Sequence, residues 1–507
     1  MLLWLLACSQ DDPLSRTELY TRLSLDFRGF RPSTEELQTV ERSERNLNKQ
    51  IDELLQSDQF GHQFAHLMAG VWKTEVVEID HVDFRYSINN IIPMITSLGQ
   101  EPLEVLAEIA NHDLPYGDFV TADWTMNNEI LAEWAPVTYP SDGEGWKRVT
   151  YTDGRPAAGV LSSNGLWWRY TSTQGNANRG RANIISKNLL CNDYLLREIA
   201  VNRDLNLLDE EAVQDALRNS PSCYACHASL DPLAAHLWGF YSHFRFSPTE
   251  QFTYHPERER DWVQYSGVGP GYYGESTETL SDLGQQISND PRFYECLTQR
   301  VMEQLYHRPL TLEDTELKHH HLDVFAQEGY QLRPLIASIA RDENYRNRLS
   351  DQKRKIVTPQ LFASQLEKLT NYRYQYDSND AIRADVFGLR TLSGGMGEDH
   401  SQVRFQTPSP TFSLVIERLS QSAAYHVTHD QEAANQFFTF DFQQPTTNTD
   451  QNIANVFHKI LSRLPDDTEL NLLRSLWNDV YEIDQSSVEA WEITIGFLFR
   501  HPDFLTY

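Results

Sequence analysis

Leu47-Asn-Lys-Gln-Ile51-Asp-Glu-Leu54-Leu55-Gln-Ser-Asp-Gln-Phe60-Gly-His-Gln-Phe64-Ala-His-Leu67-Met68-Ala-Gly-Val71-Trp72 decides the fold class. Its apolar residues recur every three or four positions, the spacing of one helix face rather than the alternation of a strand. Upstream, Ser15 with Glu18 and Ser33 with Glu36 have the serine-to-glutamate spacing of capping boxes, and Pro32 punctuates the second. These marks predict a run of short helices and a mainly α protein.

The pattern recurs twice. Leu23-Ser-Leu to Glu36-Leu37 precedes Leu54 and Phe60, Leu305-Tyr-His-Arg-Pro to Glu316-Leu317 precedes Ile339 and Tyr345, and Ile460-Leu-Ser-Arg to Glu469-Leu470 precedes Phe497 and Phe504. Each copy predicts a helix ending near Arg, a Pro-containing turn, a capped helix and a last helix before an aromatic. The spacing drifts between copies, which argues against a solenoid. Residues 136–182, 241–278, 391–411 and 430–450 are rich in turn formers or in Gln, Asn and Thr, and are expected to be loops, the first with a hairpin.

With 507 residues, 40% hydrophobic and 23% charged, the chain reads as a folded body of several modules rather than a disordered or polytopic membrane protein. Its 43 Lys and Arg against 72 Asp and Glu give a net charge of -29. A field of that sign repels a phosphate backbone, so no nucleic acid partner is expected.

The chemistry lies in Asn219-Ser-Pro-Ser-Cys223-Tyr-Ala-Cys226-His227-Ala-Ser-Leu-Asp231-Pro232. Cys-X-X-Cys-His is the attachment signature of a c-type haem. Cysteines three apart share one side of a helical turn, where both sulfurs can bond the two vinyl groups, and the adjacent imidazole serves as proximal iron ligand. The residues leave a structural zinc site and a redox dithiol open, although the other cysteines do not form a second ligand pair and no βαβ context surrounds the motif. Asp231 is a candidate acceptor for the second ring nitrogen of His227, or else part of a turn. Met302 is the first candidate for the distal ligand, with His236 and His243 as alternatives and His307 just beyond Met302. The run His319-His320-His321 is read as a solvated helix face, because adjacent helical residues do not share a side.

The segment Met1-Leu-Leu-Trp-Leu5-Leu6-Ala7-Cys8-Ser9 resembles a bacterial lipobox, which implies export, cleavage before Cys8, acylation of its sulfur and sorting to the outer membrane. No run of about 18 apolar residues follows, so no spanning segment is expected. Of the five cysteines, lipid then takes Cys8 and haem takes Cys223 and Cys226. Cys191 and Cys296 remain, and in a compartment where disulfides persist they are expected to pair, the alternative being two buried thiols.

The chain resembles the cytochrome-c-like proteins of planctomycetes and myxobacteria built from domains of unknown function. The resemblance rests on Leu25-Asp26-Phe-Arg-Gly29-Phe-Arg-Pro32, Asp118-Phe-Val-Thr-Ala-Asp123-Trp-Thr-Met-Asn127, Arg179-Gly180-Arg181, Leu189-Leu190-Cys191, Cys223 to Pro232, Cys296, Tyr306-His-Arg-Pro309, Leu461-Ser462-Arg463 and Pro502-Asp-Phe504. It implies a surface or periplasmic haem protein. The expected architecture is several helical modules with long irregular loops and a c-type cytochrome-like haem module. Their boundaries are a lipidated stub at 1–8, an N-terminal helical domain at 12–80, a loop-rich middle domain at 81–180, a haem domain at 181–350 and a C-terminal helical domain at 351–507.

The expected function is single-electron transfer through one covalent haem c, by a lipoprotein of the bacterial cell envelope anchored in the outer membrane. Its partner would be a redox protein or an envelope component. A haem enzyme with an open sixth iron position, of peroxidase or oxidase type, is the alternative. A structural envelope component with incidental haem is the third reading.

Overall fold

A computed structural model of the chain describes residues 14–75, 88–173, 175–197, 206, 209–240, 252–347, 354–376, 379–395, 408–445 and 448–507. They are mainly helical, and the strands among them form three two-stranded antiparallel hairpins. Both expected capping boxes are present, with the Ser15 and Ser33 hydroxyls accepting from the backbone N–H of Glu18 and Glu36. Leu47, Ile51, Leu54 and Leu55 are all buried, as are Phe60, Phe64, Leu67, Met68 and Trp72.

Each copy of the internal pattern turns at a left-handed residue. Gly29 (φ +81°), His307 (φ +55°) and Ser462 (φ +58°) follow directly on the helices Arg16–Arg28, Pro291–Tyr306 and Thr449–Leu461. A left-handed residue ends a helix because its N–H turns back to the last carbonyls. Capping boxes at Ser33–Glu36, Thr311–Asp314 and Asp466–Glu469 then restart the chain. The aromatic that closes each copy, Phe60, Tyr345 or Phe504, is 0% exposed.

The chain groups into two compact units. The first joins the segment ending at Gln63 to Tyr306–Pro309 and Ala337–Tyr507, and the second holds Phe64–Leu305 and Leu310–Ile336. This grouping differs from the successive domains expected from the sequence, because the first unit draws on segments more than two hundred residues apart. Its core gathers Leu25, Phe362, Ile416, Phe457, Trp491 and Phe504. Within it Lys355 Nζ meets Asp26 Oδ2 at 2.5 Å with both side chains wholly buried, and the Tyr507 hydroxyl donates to the other Asp26 oxygen at 2.9 Å.

The second unit is built on the long helix Ile88–Asn111, which packs on the short helix Asn164–Arg169. A side chain at Gly165 would lie 2.0 Å from the Leu98 carbonyl, so only glycine permits this approach. The helix stands where a loop was expected; the close packing that stabilises it leaves no local mark in a Gly- and Ser-rich stretch. The predicted hairpin is present, but it begins earlier, pairing Thr125–Asn127 with Lys147–Val149. In the first unit, Gln431–Phe437 is likewise helical inside the expected 430–450 connection, capped by Asp430 and anchored by buried Ala433, Ala434 and Phe437. No helix among the described residues is long and apolar enough to cross a membrane.

Candidate functional site

The Cys-X-X-Cys-His segment lies on the helix Pro221–Ala235 in the second unit. Proline at the first helical position costs no hydrogen bond, since that N–H has no partner within the helix. The helix packs on Arg179–Leu190, on Glu210–Asn219 and on the hairpin strand Gly271–Tyr272. Its last two turns carry the anchoring side chains, including buried Leu230, Leu233 and Ala234. Its first turns are more open: Cys223 and Cys226 are free and partly exposed. Positions 223, 226, 227, 230 and 231 recur at helical spacing along one face.

His227 is 22% exposed and Asp231, one turn on, is 7% exposed, with Nδ1 and Oδ1 2.9 Å apart. The same carboxylate receives Arg179 in a fork, Nε to Oδ1 at 2.7 Å and Nη2 to Oδ2 at 3.0 Å. Burial pushes the Asp231 carboxyl up, but the donors His227 and Arg179 outweigh it and hold the group below its ordinary value. Arg179 is the first residue of its own helix, the end where the helix dipole disfavours a cation. Its pairing with Asp231 offsets that cost.

A second element borders the thiols. The short 3-10 turn Tyr194–Leu196 is tied to the site at both ends: the Tyr194 hydroxyl lies 2.6 Å from Ser229 Oγ, and Arg197 Nη1 lies 4.0 Å from Cys226 Sγ. Arg197 also donates to Asn192 and stacks over the Tyr194 ring, centroid distance 4.5 Å. Burial pushes the Tyr194 hydroxyl up to about 12. Between these tethers Leu195 and Leu196 are 81% and 84% exposed, and Tyr224, between the two cysteines, is 55% exposed. Leu195 and Leu196 thus lie in the open on the turn that Tyr194 and Arg197 tether to this helix, and Tyr224 lies in the open on the helix itself.

Cys191 and Cys296 lie with their sulfurs at disulfide distance, 2.08 Å, and their Cα atoms 5.3 Å apart. Met302 is fully buried on Pro291–Tyr306. His236 is buried at the end of the helix Pro221–Ala235, with Nε2 2.7 Å from Thr277 Oγ1 and Nδ1 3.2 Å from the Leu233 carbonyl. Cys8 and His243 lie outside the described residues. His319 and His320 are exposed but His321 is buried, so the triple-histidine run is not one solvated face.

Arg179, Tyr194, Arg197 and Ser229 carried no assigned role in the sequence, since each reaches the motif only through folding. Among the described residues, His429, Glu489 and Glu492 in the first unit bring three metal-capable groups within 4.8 Å of one another. Nothing in the sequence marked these three, which come from the helices Pro410–His429 and Ser487–Leu498.

Residues 273–345 match a family model. It is described as a protein of unknown function, DUF1585. The DUF1585 match takes in Cys296, Met302 and His307 and begins after the Cys223–His227 segment. No curated protein and no solved structure matches the chain.

Proposed function

We propose that this chain is an extracytoplasmic, c-type cytochrome-like lipoprotein that carries one covalent haem on Cys223, Cys226 and His227 and passes single electrons to or from a protein partner. The observation that carries the reading is a constellation: two free thiols a helical turn apart, an imidazole whose Nδ1 is occupied by Asp231, exposed Tyr224 between the cysteines, and exposed Leu195 and Leu196 on the turn whose Arg197 reaches Cys226. The residues fit a porphyrin on both counts, covalent and apolar. The thiols suit thioether bonds, Nε2, the ring nitrogen that Asp231 does not take, suits the iron, and the leucines supply a surface that a flat hydrophobic ring would cover.

Haem, when bound, supplies an iron centre that exchanges one electron. The chain's own part is to fix the imidazole, exclude water with Leu195 and Leu196, and place Arg197 as a cation at the rim of the site. Cys8 would anchor the protein in the outer membrane through its lipid. A Cys191–Cys296 bridge belongs with an oxidising compartment. The resemblance to cytochrome-c-like proteins of planctomycetes and myxobacteria is part of this proposal, and DUF1585 itself adds no activity to it.

A second reading is favoured by the burial of Met302 and by the engagement of both ring nitrogens of His236. With neither side chain presented as sixth ligand, the haem would keep an exchangeable position and act on peroxide or a small organic substrate. One experiment separates the readings: mass spectrometry of the Cys223–His227 peptide from exported protein, with spectra of the oxidised and reduced forms before and after cyanide or carbon monoxide. Added porphyrin mass and an inert six-coordinate spectrum support the electron carrier. A spectrum that responds to both ligands supports the enzyme, whereas a peptide without porphyrin, or holding zinc, ends both.

A further inference from the structure

Asp231 does more than accept one hydrogen bond. Its Oδ1 is shared, taking His227 Nδ1 at 2.9 Å and Arg179 Nε at 2.7 Å, while Oδ2 takes Arg179 Nη2 at 3.0 Å. A carboxylate gripped in a two-pronged fork resists rotation, because each of its oxygens accepts from a different guanidinium nitrogen. Arg179 stands at the start of one helix and Asp231 near the end of another, so the packing of two helices fixes the distance. The three side chains are 16%, 7% and 22% exposed, in the order Arg179, Asp231, His227, so water competes poorly for any of these bonds.

We infer that Arg179 and Asp231 form a positioning pair that keeps the His227 proton on Nδ1 and the lone pair on Nε2, and that Arg179 limits how strongly Asp231 draws on that proton. An acidic acceptor on one ring nitrogen makes the other a stronger donor to a metal. Arg179 works against it, because the oxygen that faces His227 also faces a guanidinium. The two residues therefore act on the imidazole with opposite signs. The tautomer assignment stands on side-chain geometry alone; its redox consequence rests on the haem reading above.

The test has two parts. In the full chain made without haem attachment and labelled with nitrogen-15 in histidine, His227 is expected to carry its proton on Nδ1, and Asp231→Leu to relax it to a mixture of tautomers. A wild-type proton on Nε2, or an unchanged tautomer in Asp231→Leu, overturns the inference. In the haem-loaded chain the midpoint potential is expected to rise in Asp231→Asn and to fall in Arg179→Gln, with Arg179→Lys returning part of the way. Shifts of the same sign, or none, overturn it as well. A chain with the Nδ1 proton that never acquires haem upholds the pair and ends the cytochrome reading, so the two failures are distinct.

Discussion

At His236, burial holds the imidazole down at about 4 from its ordinary 6.5. Between those values the unfolded chain takes up a proton that the folded chain refuses. Stability from this site is therefore complete above about 6.5 and is lost as pH falls toward 4. His236→Gln, a neutral amide, is expected to remove that acid sensitivity. Urea midpoints of the two proteins should converge between pH 7 and pH 4.5, and a gap independent of pH would count against this account. The contrast with His227 shows what is legible at this scale. The Cys-X-X-Cys-His motif is contiguous and reads directly, and Asp231 lies one turn away on the same helix face. Arg179 is 52 residues upstream, and only the packing of two helices brings it to Asp231. Whether a histidine is a candidate ligand or a satisfied core residue is equally hidden, because the Thr277 hydroxyl that engages His236 is 41 residues on.

Among the elements, local signals were the most readable. Capping boxes act within four residues, so Ser15–Glu18 and Ser33–Glu36 could be read without knowing the fold. The helices Asn164–Arg169 and Gln431–Phe437 escaped because burial, not propensity, stabilises them. The three turns at Gly29, His307 and Ser462 yield a test. Gly29→Ala would hold an alanine at φ +81° and bring its Cβ to 2.6 Å from Gln63 Nε2, a contact the flexible Gln63 side chain can relieve but the backbone angle cannot. The expected cost is about 1–2 kcal/mol, the penalty of a left-handed residue with a Cβ. Chemical denaturation measures it, and an alanine variant as stable as the wild type would show that this turn tolerates another conformation.

Across the whole molecule, a bond between Cys191 and Cys296 joins residues 105 apart and encloses the Cys223–His227 segment. In the chain-entropy model a loop of that length is worth on the order of 4 kcal/mol. The double variant Cys191→Ala with Cys296→Ala is expected to lose about that much and to melt at the same temperature with or without reductant. A wild-type melting point that reductant leaves unmoved would show that the thiols are not bonded in the isolated protein. The two-unit grouping, by contrast, has no linear mark in the sequence: Asp26 and Lys355 are 329 residues apart, and neither neighbourhood advertises the other.

That separation sets a timetable for biogenesis. The helix Arg16–Arg28 buries Leu25 among side chains that lie beyond residue 355, so it is made early and completed late. At ~5–20 residues per second, the ribosome needs roughly 15–60 s to deliver those partners. For that interval Leu25 lacks the side chains that bury it, and an escorting holdase over this helix is what would keep it from self-association.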